Sequence, residues 1–435
     1  MLPPGASPRL PPSSPVSFAT GHSSGAAGAL HRKNGADPAA GSCRDSATTQ
    51  NHADPGPLLH QASRALRIAL DLRCVHPNLT GIGRYGANVI LSVESASSQH
   101  SFFAITTAAG GAYLDAVGLR SPRLIADSSP SWERFALPDL LHDLRVDLVH
   151  SPLFVLPTLR SYASIITVHD VIPFVRPDIC PPSFLEFFRQ HIQPAVRRAT
   201  HIVTVSDHSR SDLMRALSVE PSRITAIHEP VSPLFSTGAR ADDNAVLARL
   251  DIRPGFVLSV GAIDRRKNLD TLLEAFQPLR NRMAAAPSLV VVGGPSGDGY
   301  DLGAAIAARH LGDVVRTLGR VSDSDLAALY RAATALAFPS LYEGFGLPVV
   351  EAMASGTPVL ASNASSLPEV AGDAAVLLPP TDADAWTRAL IRIVEDEALR
   401  SDLVARGLER ARHFSIERHG AALLALYERV VEGRR

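Results

Sequence analysis

Tyr342-Glu343-Gly344-Phe345-Gly346-Leu347-Pro348-Val349-Val350-Glu351-Ala352-Met353-Ala354-Ser355-Gly356-Thr357-Pro358 joins two apolar runs, Ala335 to Leu341 and Val359 to Ser362. The order reads as a strand, a glycine loop, a short helix and a second strand. Pro348 suits the first helical position, where a missing N–H is no loss, and Gly356 suits the stop. Gly344 and Gly346 let the backbone approach a ligand that side chains would obstruct. The N–H groups of the helix start then favour an anion such as a diphosphate. Glu343 stands before the loop and Glu351 in the first helical turns, so the two carboxylates can bracket one polyhydroxylated ligand. The plainer reading is a solvated pair that complements the helix dipole. The glycines, Pro348 and Gly356 around the pair favour the ligand.

Outward from this stretch, short apolar runs recur at Phe256 to Val260, Leu289 to Val292, Val314 to Leu318, Ala335 to Pro339, Val359 to Ala361 and Ala375 to Leu378. With helical patterns between them they predict a doubly wound parallel sheet. Gly261-Ala262-Ile263-Asp264-Arg265-Arg266-Lys267-Asn268 follows the first of these strands. Lysine there is a compact point charge and arginine a fork for phosphate oxygens. A solvated basic turn ranks second, because the loop falls at the same sheet edge as Glu343. Asp323-Ser324-Asp325 is a literal D-x-D, a metal pattern. It stands before a helix, and Ser322 with Asp325 makes a capping-box pattern, so it reads as a cap.

The first half repeats the alternation. Strands are predicted at Ala65 to Leu72, Phe102 to Thr107, Arg123 to Ala126, Val146 to His150, Ser164 to His169, His201 to Ser206 and Arg223 to Ile227, with helices at Tyr85 to Glu94, Pro182 to Ala199 and Ser209 to Leu217. Pro230-Val231-Ser232-Pro233 and the polar run after it mark the linker to the second half. Gly81-Ile82-Gly83-Arg84-Tyr85-Gly86 is a literal G-x-G-x-x-G, but Cys74 to Thr80 separate it from the first strand. The second strand also lacks a closing acidic residue, so the dinucleotide fingerprint is incomplete. A glycine loop opening a helix still makes an anion or sugar site. His169 ends a buried strand, on the edge where open parallel sheets bind ligands. For a lone His169–Asp170 pair, a structural histidine is the better reading. The Pro182 to Ala199 helix sets Arg189, Arg197 and Arg198 beside Phe184, Phe187 and Phe188, which suits anionic lipid headgroups, although a solvated face explains it more simply.

The chain has 435 residues, 46% hydrophobic and 20% charged, with a formal net charge of -1. That length predicts two or three domains with sizeable cores, and the charge gives no reason to expect nucleic-acid binding. Cys43, Cys74 and Cys180 are scattered and odd in number, which fits a reducing compartment and neither a disulfide framework nor a zinc site. No apolar run approaches the roughly 18 residues that span a bilayer. Residues 1–64 are dominated by Pro, Ser, Gly and Ala and are expected to be disordered, since they bury too little apolar surface to offset ordering entropy. They lack a signal-peptide pattern, and a genuine tail and a mis-assigned upstream start both fit them.

The Glu343 to Glu351 stretch resembles the E-x7-E signature of retaining glycosyltransferases of family 4, the glycosyl transferases group 1, and the resemblance spans residue 65 to the C-terminus. It implies an α/β chain of the GT-B fold, two facing Rossmann-like doubly wound domains with an interdomain cleft. Residues 65–232 would bind the acceptor, 233–415 the nucleotide sugar, and 416–435 would form a helix crossing back to the first domain. The family implies a glycine loop at Gly81 and Gly83 between donor diphosphate and acceptor, and a histidine, here His169, facing the donor sugar. Lys267 becomes the diphosphate ligand. Arg266 stands in for an arginine that many members carry where this chain has Ala262. The segment around Val321 resembles the base-recognition loop. Glu343, with the N–H groups of Phe345 and Gly346, would hold sugar hydroxyls. Glu351 would take the ribose, and Gly344 and Leu347 complete the loop.

The expected reaction is metal-independent transfer of a hexose, mannose or rhamnose in type, with GDP-mannose the first guess for the donor and no cofactor. The acceptor would be a glycan or lipid-linked saccharide of bacterial surface polysaccharide synthesis. The expected place is the cytoplasm, with a peripheral contact on the cytoplasmic face of the inner membrane. A nucleotide-sugar epimerase and a non-catalytic nucleotide-sugar-binding protein remain open beside it.

Overall fold

The computed structural model describes residues 64–434 apart from 77–80, 127–131, 133–135, 155, 157–161, 239, 241 and 283–285. The expectation of disorder for residues 1–64 therefore falls, Arg64 excepted, outside the described residues.

The described strands form two sheets. The first holds β1 (Arg67–Asp71), β2 (Ser101–Thr106), β3 (Arg123–Ile125), β4 (Leu148–Ser151), β5 (Ala163–Thr167), β6 (His201–Thr204) and β7 (Ile224–Ala226), in the order β3-β2-β1-β4-β5-β6-β7. The second holds β8 (Val257–Val260), β9 (Leu289–Val292), β10 (Val315–Gly319), β11 (Ala335–Phe338), β12 (Val359–Ser362) and β13 (Val376–Leu378), in the order β10-β9-β8-β11-β12-β13. Every pairing given for these strands is parallel. Strands such as Leu289-Val290-Val291-Val292 are buried along their whole length, as parallel strands covered on both faces must be. In each sheet the chain first winds outward from β1 or β8. It then returns to the other side of the same strand with β4 or β11. The crevice at such a reversal lies at the carboxyl ends of the two strands, where open α/β sheets bind their ligands.

Among the described helices that bear on that crevice or brace it are α1 (Gly81–Ala96), α2 (Pro182–Arg198), α3 (Asp207–Leu217), α4 (Asp323–Ala332), α5 (Leu347–Ala354), α6 (Leu367–Ala371) and α7 (Ile416–Glu432). The expected glycine loop before Tyr85 is corrected, because α1 is already helical at Gly81. A helical glycine costs about 1 kcal/mol relative to alanine, and packing explains one of these. A Cβ on Gly86 would stand 3.0 Å from Cys74 Sγ and 3.3 Å from Val75 Cγ2, so the glycine lets α1 lie against the segment that leaves β1.

One buried apolar cluster runs from Ile68 and Ile90 through Phe414 and Tyr427 to Val349 and Leu367, so the two sheets share a continuous core. α7 packs along α1, with His419 Nδ1 3.0 Å from Ser92 Oγ and Tyr427 OH 2.6 Å from His150 Nδ1 on β4. Among the described residues no helix is long and apolar enough to cross a membrane.

Candidate active site

Between the carboxyl edges of the two sheets lies an open cleft of 660 Å³. On the second sheet's side, Gly261 follows β8 and the chain turns through a single 3-10 turn, Arg265–Lys267. Asp264 caps that turn by accepting from Lys267 N at 3.0 Å. Gly261 has φ +145°, and a Cβ there would fall 2.5 Å from Lys267 Cε, so only glycine lets the lysine fold back over the strand end. Lys267 Nζ lies 4.3 Å above the Phe338 ring and 2.6 Å from Glu343 Oε1. Arg266 Nη1 meets the same oxygen at 2.6 Å. Burial works against the charge on Glu343, but Arg266 and then Lys267 overcome it and hold the carboxyl at about 2. For Lys267, burial outweighs the attraction of Glu343, and its pKa falls below the usual lysine value.

The Gly344 to Gly346 loop reaches the first sheet. A Cβ on Gly344 would stand 2.5 Å from the His169 carbonyl oxygen. The Gly344 carbonyl accepts from Ser206 Oγ at 2.6 Å and Ser209 Oγ at 3.1 Å, both at the start of α3. Gly346, with φ +105°, caps α5 where a Cβ would strike Leu367 Cδ2 at 2.5 Å. Both glycines are thus required by close packing, one against each half of the molecule.

His169 follows β5 and stands T-shaped to the buried Tyr85 ring, with centroids 4.7 Å apart. Its Nδ1 lies 3.1 Å from Glu229 Oε1 and its Nε2 3.1 Å from the Pro152 carbonyl oxygen. Both neighbours can accept, an arrangement that favours the ring carrying a proton on each nitrogen. Burial pushes its pKa down, and the bond to Glu229 more than reverses that, leaving it raised.

Glu351 is 1% exposed and fully engaged. Arg84 Nη1 donates to Oε1 at 2.9 Å and Tyr330 OH to Oε2 at 3.0 Å. Arg84 belongs to α1, so its guanidinium reaches across the cleft, where it also pairs with Asp323. Burial raises the Glu351 pKa above the usual carboxylate value despite Arg84.

Gly81, His169, Arg266, Lys267, Glu343, Gly344, Phe345, Gly346, Leu347 and Glu351, all named from sequence, share the wall of this one cleft. Gly83 and Val321 do not: Gly83 is buried within α1 and Val321 packs against the core. The capping reading of Ser322 is seen directly, since its Oγ accepts from Asp325 N at 3.1 Å. The two aspartates of D-x-D part company, Asp323 to Arg84 and Asp325 to Arg249. Glu369 accepts from Asp207 N at 2.9 Å, His208 N at 3.0 Å and His228 Nε2 at 2.7 Å. Trp132 packs in a small cluster with Leu137 and Leu141. Sequence reasoning passed over Arg84 and Glu229. The signal for each was slight: a lone charge inside a glycine-rich stretch, and a carboxylate between a strand and a proline linker.

Residues 248–410 match the family model described as glycosyl transferases group 1, and residues 91–233 match glycosyltransferase family 4. The chain is 34% identical over 281 residues to the O-antigen chain mannosyltransferase B of Escherichia coli, covering 64% of this chain and 73% of that protein. It is 36% identical over 262 residues to a D-inositol 3-phosphate glycosyltransferase of Salinispora tropica, covering 56% of this chain and 54% of that protein. The chain thus spans about half the length of that second relative. Sucrose-phosphate synthase from Thermosynechococcus elongatus superposes with a TM-score of 0.67 at 21% identity, over 85% of this chain and 100% of that one, a likeness of fold.

Proposed function

The chain belongs to the glycosyltransferases of group 1, family 4, with the GT-B fold, and from that membership we propose that it moves a mannose-type hexose, with retention, from a nucleoside-diphosphate sugar to a glycan or lipid-linked saccharide. The observation that carries this reading is the pair of cations, Lys267 and Arg266, gathered on Glu343 in the cleft whose wall His169 shares. Arg266 also lies 3.6 Å from Asp264, so the two cations are charge-balanced at rest, and they stand where a departing diphosphate would build negative charge. In this reading no metal is needed for that purpose. GDP-mannose is the donor the reading favours, and the relatedness to an O-antigen mannosyltransferase supports it.

Glu343, pinned by two cations and strongly acidic, is a poor nucleophile. Its oxygens serve better as acceptors for sugar hydroxyls, beside the N–H groups of Phe345 and Gly346. His169 Nε2 can exchange the Pro152 carbonyl for a sugar hydroxyl and orient the ring from the opposite side. The bond between the anomeric carbon and the phosphate oxygen breaks, and the acceptor hydroxyl oxygen bonds that carbon on the same face. Its proton passes to the departing phosphate oxygen. Phe184 and Phe187 are exposed on α2 beside Arg189, and Phe184 also lines the cleft. That supports a peripheral contact with anionic lipid on the cytoplasmic face of a membrane.

Thermal shift with UDP-, GDP-, ADP- and dTDP-sugars, in EDTA, tests the reading. A ligand at about 100 times its Kd stabilises the native state by roughly 2.7 kcal/mol, or several degrees for a domain of ordinary size. One base is expected to stand out. Lys267→Ala should weaken the free nucleoside diphosphate, and Glu343→Ala should spare that binding and lose turnover. Donor cleaved only when acceptor is present separates transfer from epimerisation. No response to any donor, or strict dependence on added magnesium or manganese, would overturn the reading.

A further inference from the structure

Glu351 faces a conflict. A carboxylate that takes a ribose must be reachable from the cleft, yet this one is 1% exposed, with Arg84 on one oxygen and Tyr330 on the other. One partner has to yield. Tyr330 is fully buried on α4, in the same half of the molecule as Glu351, and packs edge-on against Phe235. Arg84 comes from the opposite half on α1, keeps 19% of its side chain exposed and lines the cleft. Its Nε is buried and has no hydrogen-bond partner. A buried guanidinium with an unmet N–H is under-satisfied where it stands, and the only way for it to leave Glu351 cheaply is to meet another anion.

We propose that Arg84 is a donor-binding residue held in reserve: it covers Glu351 until a nucleoside diphosphate enters, then passes to the diphosphate while Glu351 takes the ribose. This rests on reading the cleft as the donor site. Asp323 stays on Nη2 as the pivot, and Nε with the released Nη1 donates to phosphate oxygens. A planar fork suits that exchange and a lysine does not.

The test is calorimetric titration of UDP, GDP, ADP and dTDP, and of the matching nucleosides, into wild type, R84K and R84Q. For the base that wild type binds, R84Q should weaken the diphosphate by about 10-fold or more, the scale of one charge-assisted bond. The nucleoside should bind R84Q at least as well as wild type. R84K, with charge but no fork, should recover only part of the loss, and it stands in should R84Q not fold. A double-mutant cycle of R84Q with E351Q, read as unfolding midpoints, should show coupling without nucleotide and none at saturation. Equal losses for nucleoside and diphosphate, or coupling that persists at saturation, would overturn the proposal alone. Failure of wild type to bind any of the four diphosphates would overturn the donor-site reading and the proposal with it.

Discussion

At Glu343 two cations converge on one carboxylate oxygen, and the consequence is readable as pH dependence. The carboxyl titrates near 4.5 in an unfolded chain and at about 2 here, because Arg266 and Lys267 outweigh the burial that opposes them. A depressed carboxylate contributes stability above its unfolded value and loses it as pH falls through the folded one. The difference in denaturation midpoint between wild type and Glu343→Gln should therefore be full above 4.5 and shrink as pH drops toward about 2. A constant difference across that window would mean that the fold does not shift the titration of Glu343. Glu343 and Lys267 were legible in the sequence because each lies in a loop after a strand, Glu343 directly before Gly344 and Lys267 in the loop that opens with Gly261. Their mutual contact was not, since 76 positions separate them.

Helix packing poses a second test, at the scale of elements. α1 and α7 approach so closely that a Cβ on Gly420 would lie 2.1 Å from the Ser92 carbonyl oxygen, whereas a Cβ on Gly81 meets nothing within 4 Å. Alanine is the better helix former at both positions by about 1 kcal/mol. Gly420→Ala should nevertheless destabilise by about 1–3 kcal/mol, the usual cost of overpacking. Gly81→Ala should be neutral or stabilising and, if the diphosphate nears that backbone, should weaken donor binding. Urea denaturation of the two variants decides it, and equal effects would discard the packing account. The hydrophobic periodicity of α7 predicts a helix with one buried face. It does not say that the partner is α1, more than three hundred positions upstream.

At the scale of the molecule, the two halves are tied by polar contacts as well as by the shared core. Glu369 on α6 caps α3 through the Asp207 and His208 amides and also holds His228. Tyr342 OH donates to Asp212 at 2.7 Å beside it. Caps of this kind are worth about 0.5–2 kcal/mol, and here Glu369, from the other half, adds to the cap that Ser206 supplies through Ser209 N. Glu369→Ala should speed hydrogen exchange at the Asp207 and His208 amides while leaving the buried strands β9 and β12 protected. Unchanged exchange at α3 would show that the tie does not hold the halves together.

Local pattern determined much of this protein: which runs become parallel strands, where the chain reverses, and hence which loops reach the ligand edge. Those features follow from apolar runs, glycine and proline, whose effects act over a few residues. Even so, local pattern placed the start of α1 four residues late, because Gly81 and Gly83 read as loop residues while the chain is helical from Gly81. Only the tertiary structure decided which charges meet. Glu351 finds Arg84 across 267 positions, and His169 finds Glu229 across 60. Partner choice among buried charges is set by which groups lose water together, and desolvation depends on packing that no local stretch encodes.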